Sequence, residues 1–128
     1  MTSELRAAFV DHLTLTVRDL EASRRFYEGA LAPFGIRIVE SSQGPIGFGP
    51  DGSEDFWIKP GVPPAAVHVA FVAPDRATVN AFYQAALEAG GRDNGSPGER
   101  SHYHPGYYAA YILDPDGNNI EAVCHKPE

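Results

Sequence analysis

The feature that most constrains this chain is an internal repeat that carries a histidine. Residues 12–19 (HLTLTVRD) are echoed by residues 68–75 (HVAFVAPD), an offset of 56 (68 − 12 = 56). The same offset places Phe26 and Tyr27 on Phe82 and Tyr83, Leu31 on Leu87, and Gly35 on Gly91. Further along, GPDG at residues 49–52 matches DPDG at residues 114–117. A repeat of this length is one supersecondary unit used twice, which predicts a twofold-related pair of histidines.

The spacing within the repeat predicts the elements. Leu13, Leu15 and Val17 alternate with His12, Thr14 and Thr16, so residues 8–17 read as a strand with one polar face. Asp19 fits a helix N-cap, followed by Leu20, Ser23, Tyr27, Ala30, Leu31 and Phe34 at helical spacing and by Gly35 as a stop. Residues 36–40, 46–48 and 55–58 read as three more strands, giving β-α-β-β-β. A stiff PGVPP segment at residues 60–64 is the expected seam. The second half restarts as a strand at 67–73 and a helix opened by Asp75 and closed by Gly90 and Gly91. Its last two strands are expected at 107–113 and 119–124, joined by the DPDG turn. Gly49 to Asp114 is 65 residues against a repeat of 56, so nine extra residues precede Asp114. They fall near residues 96–108, read here as an added loop, the kind of segment in which recognition resides.

Length and composition fit one soluble domain over residues 1–128: a first module over about 8–60, a linker over 60–65 and a second module over about 66–126. The chain is 43% hydrophobic and 21% charged, enough for a core of ordinary composition. No apolar run approaches the roughly 20 residues that span a bilayer, and residues 1–6 lack the basic-then-apolar pattern of a secretory signal. Cys124 is the single cysteine, so no disulfide forms within the chain. These features predict a cytoplasmic protein that does not bind membranes. A net charge of −7 argues against nucleic acid, which requires a basic footprint.

Strand parity then predicts a site. His12 shares a face with Thr14 and Thr16, His68 with Ala70 and Val72, and the opposite faces are apolar and receive the helices. On the last strand Ile120 and Ala122 alternate with Glu121 and Val123, which places Glu121 on the same open face as the histidines. His12, His68 and Glu121 converging from three strands suit Zn²⁺, Mn²⁺ or Fe²⁺, with coordination positions left for water or substrate. A histidine–glutamate hydrogen bond without metal is the alternative way to satisfy these groups. Trp57, with Phe56 as the other candidate, falls near the position that repeats Glu121, so the mate of the glutamate is apolar. His102, Tyr103, His104, Tyr107 and Tyr108 read as a rim, with His104 or Tyr103 placed to move a proton and the others, with Trp57 and Thr14, to contact substrate. Cys124 falls on the helix side and is expected to be inert.

The matching segments at residues 11–17 (DHLTLTV), 26–27 (FY), 68–71 (HVAF) and 113–121 (LDPDGNNIE) resemble those of the vicinal oxygen chelate superfamily. That superfamily includes glyoxalase I, bleomycin-resistance proteins, fosfomycin-resistance thiol transferases and extradiol dioxygenases. The resemblance covers nearly the whole chain. It implies an α+β fold in which two βαβββ modules form a curved half-barrel sheet with helices on the outer face. It implies a divalent metal held by His12, His68 and Glu121, a small-molecule substrate, and a homodimer, sometimes with modules paired across chains. Glyoxalase I also uses a first-module glutamate, where this chain offers Phe56 and Trp57. The His/His/Glu set is therefore more similar to that of the thiol transferases or dioxygenases. The expected function is a metal-dependent lyase or isomerase, thiol transferase or dioxygenase acting on a small oxygenated molecule. The rival is a metal-free sequestration protein of the bleomycin-resistance type, against which retention of all three ligands counts.

Overall fold

A computed structural model describes residues 10–41 and 44–127. The expectations for residues 1–9, including the start of the first strand, lie outside the described residues. Among those described, the chain runs β1 (Leu13–Val17), α1 (Leu20–Leu31), a 3₁₀ turn (Ala32–Phe34), β2 (Arg37–Glu40), β3 (Ile46–Gly49), β4 (Phe56–Pro60), β5 (His68–Val72), α2 (Arg76–Glu88), β6 (Arg92–Glu99), β7 (Tyr108–Leu113) and β8 (Asn119–Cys124). The strands form two four-stranded sheets, β1-β4-β3-β2 and β5-β8-β7-β6, each with one helix, so each half is a βαβββ unit. In both, the first strand is an edge that runs parallel to the last.

The helix boundaries follow from local chemistry. The Asp19 side chain accepts from the Ala22 amide at 3.0 Å, and Asp75 accepts from the Thr78 amide at 2.8 Å. Gly35, at φ 78°, turns the chain out of the 3₁₀ segment in a left-handed conformation that favours glycine.

One stretch departs from expectation. Residues 92–99 (RDNGSPGE) carry turn-forming residues throughout and no alternation, yet they form β6. Pairing with β7 imposes the strand, and its register slips between Asp93 and Gly95 and again between Gly95 and Gly98. The added loop is correspondingly shorter than expected, covering residues 100–107.

The two halves share one core. Phe26, Tyr27, Ala30 and Leu31 of α1 and Val79, Phe82 and Ala86 of α2 are buried, and the helices pack on each other as well as on the sheets. Phe71 of β5 meets Phe56 of β4 edge-to-face at 5.4 Å, and Phe34 lies 6.0 Å from both Phe71 and Phe82. The buried rings Phe56 and Phe82 contribute about 1.5–3 kcal/mol each, and the partly buried Phe34 and Phe71 less. Polar clips reinforce the join: the Tyr27 hydroxyl donates to buried Asp114, and the Arg18 amide and guanidinium both donate to Asp116 at 3.2 Å. Thus the helix-bearing faces meet in the interior, and the opposite sheet faces stay open. Cys124 lies in the core, fully buried. No helix among the described residues is long and apolar enough to cross a membrane.

Candidate functional site

On the open face of the second half, β5 and β8 bring His68 and Glu121 together. His68 Nε2 donates to Glu121 Oε1 at 2.7 Å, and the Tyr107 hydroxyl donates to Oε2 at 2.5 Å. The glutamate side chain is 2% exposed although it stands on the open side of the sheet, whereas His68 is 54% exposed. A carboxylate so far removed from water is stabilised in its charged form only by such donors. Tyr111, directly across from Glu121 on β7, completes the floor, with its ring 6.3 Å from that of His68. The Arg100 guanidinium lies over the Tyr111 ring at 5.2 Å, held by the carbonyls of Gly98 and Ser96. Burial first, and then the Glu121 carboxylate, push the Tyr107 and Tyr111 hydroxyls above the usual phenol range. Both phenols therefore keep their protons at neutral pH, and Tyr107 donates its own to Glu121.

The loop over residues 100–107 forms a rim of rings in tilted and edge contact. His102 lies 4.3 Å from Tyr103, and Tyr103 lies 4.8 Å from Tyr107. His104 turns outward: its Nδ1 donates to the Pro105 carbonyl at 2.8 Å, and its Nε2 meets Nδ1 of His125 at 3.0 Å. It reaches the Glu121 cluster only through the Tyr107 ring, 5.4 Å away. Tyr108 falls on the helix side of β7, donating to Asn80 at 2.8 Å beneath the Arg76 guanidinium, apart from the open face.

His12 belongs to a different space. It lines a cleft of about 600 Å³ with Asp11, Thr14, Pro45, Glu54, Trp57 and Lys59. Its Nδ1 lies 2.9 Å from Asp11 Oδ2, and its side chain is 56% exposed. Among the described residues no group of three or more His, Cys, Asp or Glu side chains is gathered to hold a metal ion. The chain therefore presents His68 with Glu121 in one half and His12 in the other.

Register decides between Phe56 and Trp57. Thr14 pairs with Trp57 and Ala70 pairs with Glu121, and Thr14 and Ala70 are equivalent under the repeat (14 + 56 = 70). Trp57 thus occupies the glutamate position, while Phe56 points into the core at 4% exposure. Sequence reasoning missed Tyr111, Arg100 and His125. Tyr111 was findable, because it faces Glu121 across an antiparallel pair once the DPDG turn sets the register. Arg100 and His125 carry no periodic signal; they join the cluster only through the path of the loop and the chain end.

The sequence profile of the Glyoxalase/Bleomycin resistance protein/Dioxygenase superfamily matches residues 9–122. Among solved structures, the chain is similar to a glyoxalase/bleomycin resistance protein from Albidiferax ferrireducens T118, with 28% identity, TM-score 0.80, and coverage of 91% of this chain and 99% of that one. It is also similar to a glyoxalase-related enzyme from Fulvimarina pelagi, with 25% identity, TM-score 0.67, and coverage of 92% and 88%. The fosfomycin resistance protein FosX from Mesorhizobium loti shares the fold, with 24% identity, TM-score 0.68, and coverage of 94% of each chain. A search of curated protein sequences finds no match.

Proposed function

Because the chain belongs to the Glyoxalase/Bleomycin resistance protein/Dioxygenase superfamily, we propose that it is a metal-dependent enzyme acting on a small oxygenated molecule, with His68, Glu121 and His12 as the ligands. The observation that carries this reading is the His68–Glu121 pair, whose donor atoms lie 2.7 Å apart, the glutamate buried and the histidine open to solvent. Two donors each about 2.1 Å from one divalent ion, at roughly a right angle, lie about 3 Å apart, so a small opening of this pair fits Zn²⁺, Mn²⁺ or Fe²⁺. When bound, such an ion supplies Lewis-acid stabilisation of negative charge on substrate oxygen. Tyr107 holds Oε2 of Glu121 and so orients the carboxylate, and Oε1, which now accepts from His68, is the oxygen that would turn to an ion. In this reading Tyr111, with Arg100 over its ring, binds substrate oxygens, and Tyr103 at the rim delivers a proton. The class of reaction is proposed as lyase or isomerase, thiol transfer or dioxygenation.

The third ligand comes from a second copy of this chain. In support, β1 and β5 are both edge strands, and the open face of β5 exposes Val72 at 72%. A homodimer that lays the first half of one copy over the second half of the other would bring His12 toward His68 and Glu121. A second reading, metal-free ligand sequestration, has one observation in its favour: both oxygens of Glu121 already have protein donors. Metal analysis after loading with Mn²⁺, Fe²⁺ or Zn²⁺ separates the two. The enzyme reading expects close to one ion per chain, lost in Glu121→Gln and His68→Ala; a folded protein that takes up no metal under any loading would sink it. Sharing between copies has its own test. His12→Ala and Glu121→Gln each abolish uptake alone, and mixing them after subunit exchange restores a site made from the unaltered half of each.

A further inference from the structure

The cleft of the first half holds a tryptophan laid flat on its floor. Trp57 pairs across the sheet with Gly47, and a Cβ at Gly47 would stand 2.9, 3.0 and 3.0 Å from Cη2, Cζ2 and Cζ3 of the indole. Near-equal distances to three consecutive ring atoms arise when a ring face covers the point. An edge-on approach would leave the outer two atoms much farther away than the middle one. One indole face is therefore packed on Gly47, and the indole N–H is fixed by the Glu54 carbonyl at 3.2 Å. Trp57 stays only half-buried and lines the cleft, so its second face is the one turned to the open space. Core packing does not explain this placement, because Phe56 next to it fills the core.

The surroundings are polarised. Asp11 and Glu54 precede the paired starts of the parallel strands β1 and β4, with Asp11 turned to His12, whereas Lys59 lies two residues beyond Trp57 on the same strand face. No hydrogen bond or ion pair joins Lys59 to another described residue, and the side chain is exposed. Taking this open face as the substrate side, as in the function proposed above, we infer that the cleft takes a planar aromatic ring bearing an acidic group. The ring stacks on the free face of Trp57, and the acidic group meets Lys59.

Trp57 is the only tryptophan in the chain, so intrinsic fluorescence reports directly on the cleft. The full-length protein is titrated in EDTA with benzoate, cyclohexanecarboxylate and benzylamine. Benzoate is expected to quench saturably and to bind about 3- to 10-fold more tightly than either of the others, as stacking on a preformed aromatic face implies. Calorimetry on Trp57→Leu should show the preference for the aromatic over the saturated acid disappear. Lys59→Met should remove the preference for benzoate over benzyl alcohol. Gly47→Ala, which displaces the indole without touching ligand, should weaken benzoate while leaving the melting temperature within a few degrees; if that variant does not fold, Trp57→Leu carries the test. Absence of saturable benzoate binding, equal affinity for the saturated acid, tighter binding of benzylamine, or indifference to Lys59→Met would each overturn the inference. EDTA removes metal from these titrations, so their failure is separate from failure of the metal-loading test on Glu121 and His68.

Discussion

At equivalent points of the two open sheet faces stand a tryptophan over a glycine and a glutamate beside a tyrosine. The pairs are Trp57 with Gly47 in the first half and Glu121 with Tyr111 in the second. Behind the sheets the halves agree: Phe26 and Tyr27 repeat as Phe82 and Tyr83, and Asp19 repeats as the capping Asp75. The difference teaches which side of a duplicated sheet is free to change. Core-facing positions are tied to a shared interior in which a change of volume is felt by both halves. Open-face positions meet neighbouring strands and loops rather than the shared interior, so one half carries an indole platform and the other a single buried carboxylate held by Tyr107 and His68.

The hairpin turns extend the comparison. In the first half a Cβ on Gly49 would fall 1.4 Å from the Ser53 carbonyl oxygen, so the backbone itself closes the turn. In the second, Asp114 closes it with side-chain bonds to the amides of Asp116 and Asn118 and to the Asn118 side chain, and it also receives Tyr27 from the other half. The largest effect is expected for Gly49→Ala, which must break the turn; it should cost at least about 4 kcal/mol in denaturant unfolding or abolish soluble expression. Asp114→Ala should follow at about 3 kcal/mol, since several buried donors lose their acceptor together. If Gly49→Ala proved the milder of the two, the backbone account of the first turn would be wrong.

Tyr27→Phe tests the clip between halves. Asp114 keeps its Asn118 donors, so the loss should be about 1 kcal/mol at neutral pH. The same variant has a pH signature. Burial, then Asp114, hold the Tyr27 hydroxyl well above the ordinary phenol range, so the folded state keeps a proton that the unfolded chain releases near pH 10. The stability this contributes is complete below about pH 10 and declines as pH rises above it. Melting temperatures measured from pH 8 to 12 should therefore fall less steeply at the alkaline end in Tyr27→Phe; parallel curves would exclude the effect. The smallest effect is expected at the rim. His125→Ala removes the ring stacked on His104 at an exposed position and should change stability by no more than about 0.5 kcal/mol.

Much of this arrangement was legible in the chain. The repeat predicted two βαβββ units, alternation placed Glu121 on the open face and Cys124 in the core, and the aspartate caps marked both helix starts. β6 was not legible, because RDNGSPGE has the composition of a turn and becomes a strand only through its neighbour β7. Nor did parity separate Tyr108 from Tyr107 as rim residues. Tyr108 begins β7 and faces α2, whereas Tyr107, in the loop just before it, reaches Glu121.

By itself, then, the sequence determined the faces: periodicity is a local property, and it sorts each side chain toward core or open side wherever a strand or helix is regular. Only the tertiary structure decided which open-side groups meet. His12 and His68 are twins in the repeat, yet the halves join through their helix-bearing faces, so one histidine sits with Asp11 in the cleft that Trp57 lines and the other on Glu121. Which surfaces pack together depends on contacts between residues far apart in the chain, and a period of two or 3.6 residues carries no record of them.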